Sequence, residues 1–108
     1  MWCKMDEEPE GRIYMKVHRR GGDILLAACD EDIIDKRFRE GIFRLHVKRD
    51  FYGGDLVAEE VFIRMLQQCT MANLSGKFVV ELAIKEGYIL EENVLYVEGV
   101  PHAQLLKL

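Results

Sequence analysis

From Ile13 the chain alternates: Ile13, Met15 and Val17 interleave with Tyr14, Lys16 and His18, the two-residue period of a half-covered β-strand. Arg19-Arg20-Gly21-Gly22 interrupts that period, and glycine supplies the positive φ that tight hairpin turns demand. Asp23 to Cys29 follows, almost continuously apolar, as a strand buried on both faces would be. A hairpin therefore opens the fold. Asp30 then stands where a helix N-cap belongs, with Glu31 and Asp32 suited to the positive end of a helix dipole. Ile33, Ile34, Arg37 and Phe38 predict a short helix that Gly41 ends.

Phe43, Leu45 and Val47 against Arg44, His46 and Lys48 predict a third strand with one wet face, and Phe51-Tyr52-Gly53-Gly54-Asp55 predicts a loop. Val57, Val61, Met65 and Cys69, joined by Phe62 and Leu66, recur at helical spacing. A break at Met71 to Leu74 leads to Ser75, read as the N-cap of a helix from Gly76 to about Glu86, with Gly87 as its C-cap. Val94 to Val97 and Ala103 to Leu108 predict two last strands, joined by Glu98-Gly99-Val100-Pro101. The order is ββαβααββ. Without regular βαβ alternation this predicts an α+β fold, a mostly antiparallel sheet of about five strands with helices packed on one face.

Composition narrows the picture. A length of 108 residues suits one domain, and 49% hydrophobic with 31% charged residues is a folding rather than a disordered composition. Residues 1–11 are acidic, lack periodicity and read as a flexible extension to a single domain at residues 12–108. No apolar run approaches the ~18 residues of a membrane-spanning helix, and the acidic start is the opposite of a signal peptide. Cys3, Cys29 and Cys69 are odd in number and form no C-x-x-C pair, which argues against a zinc knuckle and for a reducing, cytoplasmic setting. The net charge of -4 disfavours uniform electrostatic coating of nucleic acid while leaving room for a local basic patch.

Six short segments stand in order: the Lys16-Val17 hairpin opening, Ala27-Ala28-Cys29-Asp30, Phe38-Arg39-Glu40-Gly41, Phe51-Tyr52-Gly53-Gly54, Ala72-Asn73-Leu74-Ser75-Gly76 and Gly99-Val100-Pro101-His102-Ala103-Gln104. Together they resemble the small archaeal proteins grouped as domain of unknown function family 424, over nearly the whole chain from about Arg12. Relative to that pattern the first eleven residues look like an addition. The resemblance implies an archaeal, cytosolic, single-domain protein and carries no activity and no catalytic residue.

Candidate chemistry must then come from the residues. Asn73-Leu74-Ser75-Gly76-Lys77 enters a helix, where free N–H groups, the dipole and a lysine could hold an anion, although no P-loop pattern is present. His102 and Gln104 lie two apart on a predicted strand and so face one way, a donor and acceptor pair for a ligand. Arg44, His46 and Lys48 put positive charge on one strand face, with Arg37 and Arg39 near in sequence and Tyr52 in a loop that could stack a base. No catalytic triad, zinc-protease motif, metal-ligand set or cofactor fingerprint is present. The expectation is a binding module for RNA or a ribonucleoprotein partner. Two alternatives stand beside it: a small enzyme or ligand-binding protein built around His102 and the Ser75 helix start, and a protein–protein adaptor or homodimer.

Overall fold

A computed structural model describes residues 12–108, and the acidic extension read at residues 1–11 lies outside the described residues. The opening hairpin is as expected: β1 (Ile13–Arg20) pairs antiparallel with β2 (Asp23–Asp30) across the two-residue Gly21-Gly22 turn, Arg20 opposite Asp23. The short helix expected next is not there. Glu31–Ile33 makes one 3-10 turn, Asp35 adopts a positive φ of 70°, and Arg37–Glu40 is a strand, β3. Ile33 from that turn, and Ile34 and Phe38 from extended backbone, pack into the core on one face of the sheet, so tertiary burial overrides a weak local helix preference.

β3 pairs antiparallel with β4 (Phe43–His46) as a separate two-stranded ribbon. Arg49–Tyr52 is one helical turn, α1, partly where a loop was expected, and Asp55–Val57 is a short edge strand, β5, where the end of that loop and the start of the next helix were expected. α2 (Glu59–Gln68) follows, and the stretch read as a break, Met71–Ser75, is a strand, β6. α3 (Lys77–Lys85), β7 (Leu95–Val97) and β8 (Val100–Leu106) complete the chain. The last turn is tighter than expected. Only Glu98 and Gly99 lie between the strands, both at positive φ (52° and 79°), so Val100 and Pro101 already belong to β8.

The main sheet has six strands in the order β5-β1-β2-β6-β8-β7. Its pairings are antiparallel except β2 with β6, so the class is α+β with a mostly antiparallel sheet. Successive side chains of each strand point to opposite faces, which gives the sheet two cores. On one face Ile13, Leu26, Ala28, Leu74 and Ala103 meet Phe62 and Leu66 of α2 and Val79, Val80 and Ala83 of α3. On the other, Ala27 and Cys29 meet Tyr52 of α1, Leu45 of the ribbon, Val47 just after it, and Val97. The two long helices thus share one face. The ribbon and α1 cover only part of the other, and that partial cover shapes the site.

Candidate functional site

The registers across β2, β6 and β8 place Cys29 beside Ser75 and Ser75 beside His102, with Ala27, Asn73 and Gln104 in the next row. All six point to the face carrying the ribbon. His102 and Ser75, expected to belong to one site, are in direct contact: Ser75 Oγ lies 2.9 Å from His102 Nδ1 and 3.0 Å from the Tyr52 hydroxyl. Ser75 is fully buried and Tyr52 nearly so, while His102 is half-buried. A neutral imidazole with its proton on Nε2 satisfies the chain, since Tyr52 can donate to Ser75 and Ser75 to His102. Burial lowers the His102 pKa, which favours that neutral form.

A buried serine beside a histidine invites a nucleophilic reading, but Ser75 offers no surface to a substrate. Cys29, its neighbour in the row, is no better placed. Burial and then the Asp30 carboxylate push its thiol up to about 12, so it stays protonated and unreactive. This row is chiefly a satisfied polar seam in the second core. The lowered histidine carries a sign: stability it contributes is present above its unfolded pKa of about 6.5 and is lost as pH falls through its lower folded value. His102→Asn keeps a short polar group near the Nδ1 position and is expected to flatten that loss. Thermal melts of both proteins between pH 7.5 and 5 check it, and parallel profiles would remove His102 from the acid response.

The anion site expected at Ser75, Gly76 and Lys77 is already occupied by the protein. Asp30, at the end of β2, accepts the Val79 N–H at Oδ1 (2.9 Å) and the Phe78 N–H at Oδ2 (3.0 Å). Gly76, not Ser75, is the N-cap of α3, with φ 110° and ψ 151°. The Ser75 hydroxyl turns to the opposite face of the sheet. Lys77 begins α3 on the helix side, so the expected ligand set splits: Asn73, Ser75, His102 and Gln104 share one face and Lys77 does not. The signal for Asp30 was present, because the first turn of α3 has no acidic residue of its own and its orphan N–H groups need an acceptor.

The expected basic surface is richer than the sequence suggested. Arg37 pairs with His46 and Arg39 with Arg44 across the ribbon, and all four are exposed on its outer face. Among the described residues, no hydrogen bond or ion pair engages the side chains of Arg37, Arg39 or Arg44. They border a depression of about 270 Å³. Lys48, exposed, precedes α1 rather than sitting on β4. His46 also borders a second open depression with Lys16 and Lys48. Arg49 is neutralised there by Asp35 at 2.8 Å.

Tyr52 requires a correction. Its ring is buried and its hydroxyl bonded inward, so it cannot stack a base. Phe51, half-buried, is the more accessible aromatic, and it stacks on His18 with centroids 4.9 Å apart. Among the described residues no group of three or more His, Cys, Asp or Glu could hold a metal ion, and no helix is long and apolar enough to cross a membrane.

The model of the family described as protein of unknown function (DUF424) matches residues 18–108. The chain belongs to that family. No curated protein matches it. It is similar to an uncharacterised conserved protein from Methanopyrus kandleri known from a crystal structure, with a TM-score of 0.72 and 24% identity, covering 90% of this chain and 94% of that one. At that identity the likeness shows the fold alone. Three of the segments that carry the family resemblance take part in the geometry above: Ala27–Asp30 supplies the cap of α3, Ala72–Gly76 most of β6 and the α3 N-cap, and Gly99–Gln104 carries the His102 row.

Proposed function

We propose that this protein is a cytosolic binding module for RNA, and that the outer face of the β3–β4 ribbon is its phosphate-binding surface. The observation that carries the reading is the exposed set of Arg37, Arg39, Arg44 and His46, locked by strand register and with the three arginines free of carboxylate partners among the described residues. Guanidinium groups are more weakly hydrated than ammonium groups, and with no carboxylate to displace their planar forks suit bidentate phosphate contact. The ribbon is held in place rather than free. Arg39 N–H donates to Glu98 Oε2 at 2.6 Å, and Glu98 N–H donates to Glu40 Oε1 at 2.7 Å. The acidic balance of the chain does not oppose this, since four of the nineteen carboxylates, but one of the fifteen Lys and Arg, fall in residues 1–11.

The test is binding of a labelled single-stranded RNA by fluorescence anisotropy over a series of salt concentrations. Phosphate contacts release counterions, so log K falls linearly with log salt, with a slope of roughly -0.7 per phosphate neutralised on a single strand. Replacing Arg37, Arg39 and Arg44 together by Gln is expected to flatten the slope by about 2 and weaken binding at low salt. Absence of salt-dependent binding by the unsubstituted protein sinks the reading.

A further inference from the structure

The part of the ribbon-side sheet face that α1 leaves open has a chemistry of its own. Two rows run across it in register: Lys16, Ala27, Asn73 and Gln104, then His18, Leu25, Met71 and Leu106. Leu25, Met71 and Asn73 are half-buried, and Gln104 and Leu106 are exposed. Together they line a shallow depression of about 400 Å³, which shares Leu25 and Met71 with a neighbouring one of about 480 Å³ bordered by His18, Arg19 and Arg20. These sizes fit a small ligand group.

Asn73 and Gln104 are directly opposed across β6 and β8, so their amides are close enough to act on one group. Among the described residues neither carboxamide has a hydrogen-bond partner. Each offers a donor and an acceptor in one plane, the pattern that complements the edge of a nucleobase. Leu25 and Met71 in the adjoining row form an apolar floor on which a base can lie flat with its edge toward the two carboxamides. Arg19 and Arg20 at the far end suit the phosphate that such a nucleotide carries. Asp23 shares that end and stays an acceptor, its Oδ1 taking a hydrogen bond from Thr70 Oγ1 at 3.3 Å, and the two arginines outnumber it.

Resting on the RNA reading, we infer that Asn73 and Gln104 form a base-reading subsite for one unpaired nucleotide, with the ribbon arginines holding the strand's backbone. The phosphate surface then sets affinity, and the carboxamide pair sets preference.

The experiment compares labelled 15-mers of A, C and U over one common series of salt concentrations, then repeats each with Gln104→Ala and with Asn73→Ala/Gln104→Ala. The unsubstituted protein is expected to discriminate at least about fivefold between its best and worst homopolymer, in the range of one good base contact. The double variant should bring the spread below about twofold with an unchanged salt slope, because no phosphate contact is lost. Gln104 is exposed, so the single variant tests the same idea without a folding cost and should narrow the spread partway. Salt-dependent binding with no spread, or a spread that survives both variants, overturns the subsite and leaves the RNA reading standing. No salt-dependent binding of any homopolymer removes both.

Discussion

Gly76→Ala is expected to lower stability by about 3–4 kcal/mol, more than most single-methyl additions do. Two costs coincide at this residue. Its φ of 110° with ψ of 151° lies in a region that residues with a Cβ hardly populate. A Cβ there would also stand 2.4 Å from Asp30 Cγ and 2.6 and 2.8 Å from its carboxylate oxygens. Asp30 would have to withdraw, and the Phe78 and Val79 N–H groups would lose their acceptor. Urea denaturation reads the change directly. A loss below about 1 kcal/mol would mean that the β6–α3 junction is looser than this geometry requires.

The second large effect is expected at Asp30 itself. Asp30→Ala leaves two amide donors at the start of α3 without a partner, at a cost of about 2–3 kcal/mol. Asp30→Asn keeps an acceptor oxygen and should cost less. Burial raises the Asp30 pKa, against the lowering by its two N–H donors. A raised folded value means that the charged carboxylate is disfavoured in the native state. Stability from this group therefore falls as pH rises through the window between its unfolded and folded values, opposite in sign to His102. The Asn variant lacks that response and so loses its slope in the same window. Because the methyl of Gly76→Ala strikes Asp30, the two substitutions are not independent. The double variant Gly76→Ala/Asp30→Ala should cost less than the sum of the singles by about 1 kcal/mol or more, and strict additivity would refute the contact.

Much of the architecture was legible because it depends on local pattern. The β1–β2 hairpin follows from the alternation of β1, the apolar run of β2 and a Gly-Gly turn, and the stripes of α2 and α3 from apolar spacing that buries Phe62, Leu66, Val79, Leu82 and Ala83. The elements misread share a different cause. Met71–Ser75 is short and contains Ala, Asn and Ser, and only its lateral pairing with β2 and β8 makes it a strand. Glu31 to Phe38 carries helix-like spacing, yet its apolar residues find their partners on the sheet surface, from a single 3-10 turn and the extended chain after it. Residues of Phe51–Asp55 divide between a helical turn and a strand because Gly54 lets the chain pass close to β1. A Cβ there would meet the Met15 carbonyl oxygen.

The same division runs through the site. The residue types of the basic ribbon face, of His102 and Gln104, and of Asn73 and Ser75 were visible in the sequence, as was the placing of Arg44 with His46 and of His102 with Gln104 by strand alternation. Sequence alone determined an α+β chain with an opening hairpin, two amphipathic helices and a few polar clusters, since each rests on neighbours within a few residues. Tertiary structure decided which clusters meet. It set Ser75 against His102, turned Tyr52 inward, spent the helix start on Asp30 and aligned Asn73 with Gln104 on an open face. Those contacts join residues 23 to 49 positions apart or lie across strands whose pairing no local pattern encodes. Their energetics depend on burial and register, quantities that exist only once the sheet has formed.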